Sequence, residues 1–215
     1  MTIDVLLILL SGIAWSVVYV DAIRIGLKDH SYAMPFWALA LNIAWEFLHA
    51  TLGFKAAGLT IQIGINFAWF LLDIGVLYTY FRFGRKYFPS SVSKTLFYLW
   101  SVVVLVTAFI AQFMFIHEFG LLMGAIYSAF LQNLLMSILF IAMLIQRNSR
   151  EGQTILIAVS KCIGTLAPTI YMGVIGIKGF MAANSLVLVI GGLIFFFDLL
   201  YIVLLKRVHN TKLGE

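Results

Sequence analysis

The chain has 215 residues, of which 63% are hydrophobic and 11% charged, and its formal net charge is +5. Soluble domains carry about 45–50% apolar and about 25% charged residues. The composition therefore predicts an integral membrane protein and excludes a disordered chain or a soluble nucleic-acid-binding domain. The single cysteine, Cys162, excludes internal disulfides and cysteine-based metal clusters.

Apolar stretches long enough to cross a bilayer, which takes about 20 residues, recur along the whole chain. The first has no basic region ahead of it, so we interpret it as a membrane span and not as a signal peptide. Pro168 lies inside the sixth and predicts a kink there. The sequence predicts an all-α fold, a single bundle of seven transmembrane helices within 1–215. The predicted spans are 3–23, 32–54, 59–81, 95–116, 119–145, 154–177 and 182–205.

The distribution of lysine and arginine predicts how the bundle is oriented. Eleven of these residues fall in connections on one side, and only Lys55 and Lys178 fall on the other. Because basic residues concentrate on the cytoplasmic side, we expect the N-terminus outside and the C-terminus in the cytoplasm. The membrane is expected to be the plasma membrane of a bacterium or the endoplasmic reticulum of a eukaryote. The eleven are Arg24, Lys28, Arg82, Arg85, Lys86, Lys94, Arg147, Arg150, Lys206, Arg207 and Lys212.

Four ionisable side chains lie deep inside the predicted spans: Glu46, Asp73, Lys161 and Asp198. Ionisable groups at this depth are costly and are functional candidates by default. One lysine neutralises at most one carboxylate, so at least two acids must be protonated, hydrated or hydrogen-bonded. A buried, protonated carboxylic acid is a candidate general acid. Asp21, near the end of the first span, is expected to be solvated.

Polar and aromatic side chains share helix faces with these acids, as Asn42, Glu46 and His49 do at i, i+4 and i+7. Such faces turn inward, because lipid does not solvate them, and they predict a polar interior pocket with aromatic walls. For each of these residues a purely structural role stays open: hydrogen bonding between helices, packing or ion pairing. No metal-binding or diphosphate-binding motif is present, so no metal and no cofactor is expected. The predicted supporting residues are Asn42, Trp45, His49, Trp69, Asp73, Gln132, Lys161, Thr165 and Tyr201.

The run Asp29–His–Ser–Tyr–Ala–Met–Pro35, continued by Asn42–Ile–Ala–Trp45–Glu46, resembles the signature of the small integral-membrane terpene cyclases. These are the fungal pyripyropene-type and paxilline-type cyclases and their bacterial drimentine-type relatives. The resemblance implies cyclisation of a prenyl chain attached to an aromatic or indole head. It also implies two essential acids, at Glu46 and Asp198. Further matches follow in order at Trp69 to Asp73, Gln132–Asn133, Lys161–Thr165 and Asp198–Tyr201, with a lysine at 161 where many relatives have arginine.

These observations predict a membrane-bound terpene cyclase in which Glu46 or Asp198 protonates a terminal epoxide or alkene of the prenyl chain. The carbocation then closes the rings without a metal ion or diphosphate ionisation. Aromatic faces stabilise cations, and the candidates are Trp45, Trp69, Tyr78 and Tyr201. The expected partners are a lipophilic prenylated small molecule and the lipid bilayer, with homo-oligomerisation open and no nucleic acid. The alternative is a proton-coupled transporter or a lipophile-binding membrane protein, since buried acids facing a lysine also suit a proton relay.

Overall fold

The computed structural model describes residues 2–208, and apart from one isolated bridge between Ile177 and Met181 the regular structure of this range is helical. The predicted all-α fold is therefore confirmed. Five helical segments, in which α3 and α5 are counted with the short turns that continue them, are long and apolar enough to cross a membrane, and α2 is not among them. A 3₁₀ turn, Gly84–Tyr87, continues α3, and a π-helical turn, Tyr171–Ile175, continues α5 just after Pro168. The helices are α1 (Ile3–Lys28), α2 (Phe36–Ala57), α3 (Ile61–Phe83), α4 (Lys94–Arg147), α5 (Ile155–Ile170) and α6 (Ser185–Arg207).

Short polar side chains set where four of the helices begin, because each accepts a hydrogen bond from a backbone N–H that the first turn leaves free. Pro35 immediately precedes α2, where its missing N–H costs no helical hydrogen bond. Asn148 ends α4 in the left-handed conformation, with φ 46°. These local signals place most helix ends within a few residues of the predicted ones. The four capping residues are Thr60, Ser93, Thr154 and Asn184.

The 54-residue element α4 is a helical hairpin. A straight helix of that length would measure about 80 Å, against about 30 Å for the hydrocarbon core of a bilayer. Gly120 breaks it, with φ 75° and ψ 171°. The Gln112 Nε2 then donates to the Gln132 Oε1 at 2.6 Å, although 20 residues of straight helix would separate them by about 30 Å. Seven separate helices are not confirmed, because the predicted fourth and fifth spans are the two arms of α4, reversed at one glycine.

The six elements pack side by side in a closed ring, in the order α1, α3, α2, α4, α6, α5 and back to α1. Helix α2 contacts both arms of α4. Trp37 packs edge-on against Trp100 of the first arm, and Asn42 accepts a hydrogen bond from Gln132 of the second. The outer faces carry exposed aliphatic and aromatic side chains, as a lipid-facing surface requires. This arrangement leaves an interior between the helices.

The end of the ring that carries most basic residues is closed by hydrogen bonds between two connections. The Arg147 guanidinium donates to the backbone carbonyls of Tyr32 at 3.0 Å and Glu151 at 2.8 Å, and it lies 4.3 Å from the centre of the Tyr32 ring. The Gly152 N–H donates to the Asp29 Oδ2 at 2.9 Å. The Asp29–Pro35 run therefore ties the α1–α2 connection to the α4–α5 connection at this end of the ring. Glu46 lies about three turns further on, inside α2.

Asp21 is buried at the same end, so the expectation that water solvates it was wrong. Its Oδ1 pairs with the Arg24 guanidinium at 2.6 Å, and its Oδ2 accepts from the Thr154 hydroxyl at 2.5 Å. The start of α5 covers it and supplies that hydroxyl, a tertiary contact that a position near a span end does not reveal. Lys212, one of the basic residues counted above, lies outside the described residues.

Candidate active site

A cavity of about 670 Å³ lies inside the ring, in the half away from the basic connections. Small-molecule sites typically measure about 300–1,000 Å³ and have mostly apolar walls with a few polar groups. This cavity has that character, and its walls come from α1, α2, α3, the second arm of α4, α5 and the connection after it. Seven of the predicted site residues line it: Asn42, Trp45, Glu46, His49, Trp69, Gln132 and Thr165.

Glu46 is the carboxylic acid on this wall, and its side chain is only 1% exposed. Its Oε1 accepts a hydrogen bond from the Tyr19 hydroxyl at 2.6 Å, while its Oε2 has no hydrogen-bond partner. Among residues 2–208, no lysine, arginine or histidine forms an ion pair with it. A carboxyl group without a cation in apolar surroundings is least costly when it carries its proton. Glu46 is therefore placed to hold a proton within the wall of the cavity.

A chain of hydrogen bonds runs from both arms of α4 to Glu46. The Gln112 Nε2 donates to the Gln132 Oε1 at 2.6 Å, and the Gln132 Nε2 donates to the Asn42 Oδ1 at 3.0 Å. The Asn42 Nδ2 donates to the Tyr19 hydroxyl oxygen at 2.5 Å. Every link donates in the direction of Glu46, so the chain presents a hydrogen-bond donor to its carboxyl group.

Tyr19 and Gln112 were not predicted as members of the site. A signal for Tyr19 exists in the sequence, because Ser11, Trp15 and Tyr19 follow i, i+4 and i+8 along α1, and all three line the cavity. Gln112 gave no comparable signal. Its part in the chain depends on the hairpin of α4, which brings the two arms together.

Asp73 is fully buried and lies behind the cavity wall, not on it. The Asp73 carboxyl group is next to the Glu46 carboxyl group and to the Asn42 amide. Asp73 forms no ion pair in the described part of the chain. Two adjacent buried carboxyl groups cannot both ionise cheaply. The structure thus brings a second acid to Glu46, from α3.

Lys161 and Asp198 form a buried ion pair away from the cavity. The Lys161 Nζ donates to the Asp198 Oδ1 at 2.8 Å and to the Ser137 hydroxyl at 2.6 Å. This links α5, α6 and the second arm of α4. The cavity wall includes Thr165, one turn beyond Lys161, but neither member of the ion pair. The expected cavity shared by Glu46 and Asp198 is therefore not what the structure shows.

Two tryptophans supply large flat surfaces to the cavity. The Trp45 indole N–H donates to the Ala125 carbonyl at 3.0 Å, and the Trp69 indole N–H donates to the Ser16 hydroxyl at 3.1 Å. Each ring is thus held in place by its polar edge while its carbon faces line the cavity. Aromatic rings of this kind stabilise a cation that lies against their faces.

The two tyrosines predicted as aromatic walls lie elsewhere. Tyr78 is 53% exposed on the outer surface. Tyr201 is buried at the basic end, where its hydroxyl donates to the Gln153 Oε1 at 2.9 Å. The helical spacing that placed Tyr201 on a face with Asp198 was correct in register, but that face of α6 does not reach the cavity.

His49 is another titratable side chain on the wall, one turn beyond Glu46 on α2. Its ring centre lies 4.7 Å from that of Trp45, and its Nε2 has no hydrogen-bond partner. Across residues 2–208, no three His, Cys, Asp or Glu side chains gather as a group that could hold a metal ion. The polar groups that face the cavity are thus an acid, an imidazole, amides and hydroxyls.

Comparison with known proteins gives one consistent result. The sequence model of the Pyr4-like transmembrane terpene cyclases matches residues 1–211. The Pyr4-family terpene cyclase mfmH of Annulohypoxylon moriforme is 31% identical over 167 residues, which cover 74% of this chain and 66% of mfmH. The terpene cyclase adrI of Penicillium rubens is 30% identical, over 76% of this chain and 66% of adrI.

The terpene cyclase pyr4 of Aspergillus fumigatus is 25% identical over 78% of this chain and 69% of its own length. The chain spans just under two thirds of the length of mfmH and adrI. No solved structure matches it. Since the family model covers nearly the whole sequence, and since the apolar helices fit a membrane protein, the chain belongs to the Pyr4-like transmembrane terpene cyclases.

Proposed function

We propose that this protein is an acid-initiated terpene cyclase whose substrate is a lipophilic prenyl chain attached to an aromatic or indole head. The observation that carries the proposal is Glu46, an acid without an ion-pair partner on the wall of a mostly apolar cavity of about 670 Å³. Such a cavity admits a prenyl chain and excludes the water that would quench a carbocation. The names of the relatives, all terpene cyclases, support the same reaction class.

In the proposed reaction, the proton leaves the Glu46 Oε2 and bonds to the terminal epoxide oxygen or alkene carbon. The electron pair of the broken O–H bond stays on the Glu46 carboxylate. Alkene π electrons then form the ring bonds in turn, and the last cation loses a proton to a carboxylate or to water. Trp45 and Trp69 stabilise the cation by up to ~2 kcal/mol each. The product is an isomer of the substrate, and neither metal nor diphosphate is required.

The placement of polar groups favours one orientation of the substrate. Glu46 lies deep, and the cavity wall continues along α2 to Ala57, about 16 Å further on at 1.5 Å per residue. At that outer end the Gln62 Nε2 donates to the Asn66 Oδ1 at 2.9 Å, and Gln62 is exposed. We therefore place the reactive prenyl terminus at Glu46 and the polar head at the mouth.

We propose an indirect part for Asp198, the second acid that the family resemblance marks as essential. Its Oδ1 is bound to the Lys161 ammonium, and the pair joins helices behind the cavity wall. Thr165, one turn from Lys161, forms part of that wall. Asp198 would thus support activity by fixing how α5 packs and would not contact the substrate.

We also propose seven membrane crossings, in which α2 crosses once and the two arms of α4 cross in opposite directions. The basic connections would then face the cytoplasm, with the N-terminus outside, in a bacterial plasma membrane or a eukaryotic endoplasmic reticulum. An impermeant thiol reagent tests this with Ser90→Cys and Lys178→Cys, exposed positions at opposite ends. The native Cys162 is buried, so background labelling is low. Labelling of both positions from the same side would contradict the proposal.

A product assay tests the reaction. Membranes containing the protein are given farnesyl- and geranylgeranyl-bearing indoles and phenols, with and without terminal epoxides, and isomers of unchanged mass are sought by mass spectrometry. Glu46→Gln should form no product, while Glu118→Gln, a matched change at an exposed acid, should leave it unchanged. Equal product from wild type and Glu46→Gln would refute the proposal. Proton flux in vesicles without any product would favour the transporter alternative.

A further inference from the structure

The Tyr19 hydroxyl lies between two groups of the site. It accepts from the Asn42 Nδ2 at 2.5 Å and donates to the Glu46 Oε1 at 2.6 Å. The side chain is 2% exposed, and its ring lies between Trp15 and Trp69, with ring centres 5.9 and 6.2 Å away. These contacts hold the hydroxyl in one place beside the acid.

The hydrogen-bond chain fixes which way the Tyr19 proton points. The direction of the chain is set at Gln112, whose Nε2 also donates to the Leu41 carbonyl at 3.5 Å. The Asn42 Oδ1 then accepts from Gln132, and the Asn42 NH₂ group faces Tyr19. A tyrosine hydroxyl has one hydrogen to donate, and with its oxygen accepting from Asn42 that hydrogen is directed to the Glu46 Oε1. The Oε2 is then the oxygen left to carry the transferable proton.

We propose that Tyr19 is a positioning residue for proton transfer, holding the Glu46 Oε1 and stabilising the carboxylate that forms as the proton leaves Oε2. This inference rests on the proposed function. Only the Glu46 O–H bond breaks, and its electron pair stays on the carboxylate, while the proton bonds to the substrate. Tyr19 keeps its own proton throughout.

The reaction needs such a donor because an apolar cavity works against the acid. Burial favours the neutral carboxyl group, while an alkene is a weak base and demands a strong acid. Hydrogen bonds to a charged acceptor are roughly twice as strong as those between neutral groups. The Tyr19 bond therefore strengthens as Glu46 becomes negative, so it lowers the barrier more than it stabilises the bound substrate.

Tyr19→Phe tests the proposal, since it removes the hydroxyl and keeps the ring between the two tryptophans. We expect kcat to fall about 10- to 100-fold, as for the loss of one hydrogen bond to a charged group, with KM within about twofold. The matched control is Tyr80→Phe, which removes a buried hydroxyl bonded to Ser101 outside the cavity. An unchanged kcat for Tyr19→Phe, or the same loss in Tyr80→Phe, would overturn the proposal.

A spectroscopic measurement separates failure of this inference from failure of the proposed function. Infrared spectra of the wild type and Glu46→Gln are compared, and the C=O band that Glu46→Gln lacks is assigned to protonated Glu46. In Tyr19→Phe this band should move to higher wavenumber, because the C=O group has lost its hydrogen-bond donor. The same band in wild type and Tyr19→Phe contradicts the inference even if the wild type is an active cyclase. A shifted band in a wild type that forms no product supports the Tyr19–Glu46 contact and counts against the cyclase reaction itself.

Discussion

The Lys161 ammonium lies 2.8 Å from the Asp198 Oδ1, and both side chains are buried outside the cavity that Glu46 lines. The two acids that the family resemblance pairs thus occupy different surroundings. Glu46 has a hydroxyl donor and an unpartnered oxygen, whereas Asp198 has a full counter-charge. This difference predicts different consequences when each is neutralised.

Glu46→Gln should lower the rate of cyclisation by at least about 100-fold, the usual contribution of a general acid, with little change in thermal stability. The amide keeps an oxygen that can accept from Tyr19, so the fold loses no hydrogen bond. Asp198→Asn should lower stability by about 3 kcal/mol, because it leaves the Lys161 ammonium buried without a counter-charge. Thermal unfolding in detergent, measured beside product yield, checks both. A stable Asp198→Asn protein would contradict the assigned difference.

Removing both members of the ion pair separates a structural part for Asp198 from a chemical one. Replacing a buried pair by apolar residues of similar volume is often neutral or stabilising. The double variant Lys161→Met with Asp198→Leu should therefore regain most of the stability that Asp198→Asn loses, and with it most of the cyclase activity. A double variant that unfolds at the wild-type temperature but forms no product would instead place Asp198 in the chemistry.

The positions of most helices along the chain were predicted from the sequence, because apolar length is a local property. The hairpin of α4 was predicted less completely, because the sequence separates its two spans but does not show that the chain reverses at a single glycine. The reversal occurs at Gly120 alone, without loop residues between the arms, so helical hydrogen bonding continues close to both sides of it. The burial of Asp21 was missed for a related reason, since the Thr154 hydroxyl that binds it comes from a distant part of the chain.

The site was predicted in part, because helical spacing shows which residues share a face but not which faces meet. The α2 face with Asn42, Glu46 and His49 does line the cavity. The α6 face with Asp198 and Tyr201 meets α5 and the second arm of α4 behind the wall. Which of the two faces reaches the cavity depends on how the helices pack in the ring, and helical spacing does not show that.

The size of the cavity should limit the length of the prenyl chain. Gly12 lines the cavity, and a Cβ built there meets nothing within 4 Å, so Gly12→Leu places new carbon atoms in the open space. We expect kcat/KM to fall at least about 10-fold for geranylgeranyl substrates and less for farnesyl substrates, within the range that small steric changes give in apolar pockets.

Gly192→Leu is the matched control for this variant. It makes the same change at another helical glycine with free space around it, but on the exposed face of α6 and away from the cavity. It should leave both substrates unaffected. Equal losses for the two prenyl lengths in Gly12→Leu, or equal effects of the two variants, would show that this space does not hold the prenyl chain.

The reversal of α4 should depend on glycine at position 120. Its φ of 75° and ψ of 171° fall in a region that is essentially restricted to glycine. A Cβ there meets nothing within 4 Å, so Gly120→Ala introduces backbone strain without a clash. We expect a loss of about 1–3 kcal/mol in the free energy of unfolding, seen as a lower midpoint of thermal unfolding in detergent.

Gly64→Ala provides the comparison, because Gly64 lies within α3 and its Cβ would also meet nothing within 4 Å. Alanine is favoured over glycine inside a helix by about 1 kcal/mol, so this variant should unfold at the same temperature or higher. If Gly120→Ala were as stable as Gly64→Ala, the chain would have to reverse elsewhere. A reversal at Gly120 would then not be what brings Gln112 to Gln132, and the chain of hydrogen bonds that ends at Glu46 would not form as described.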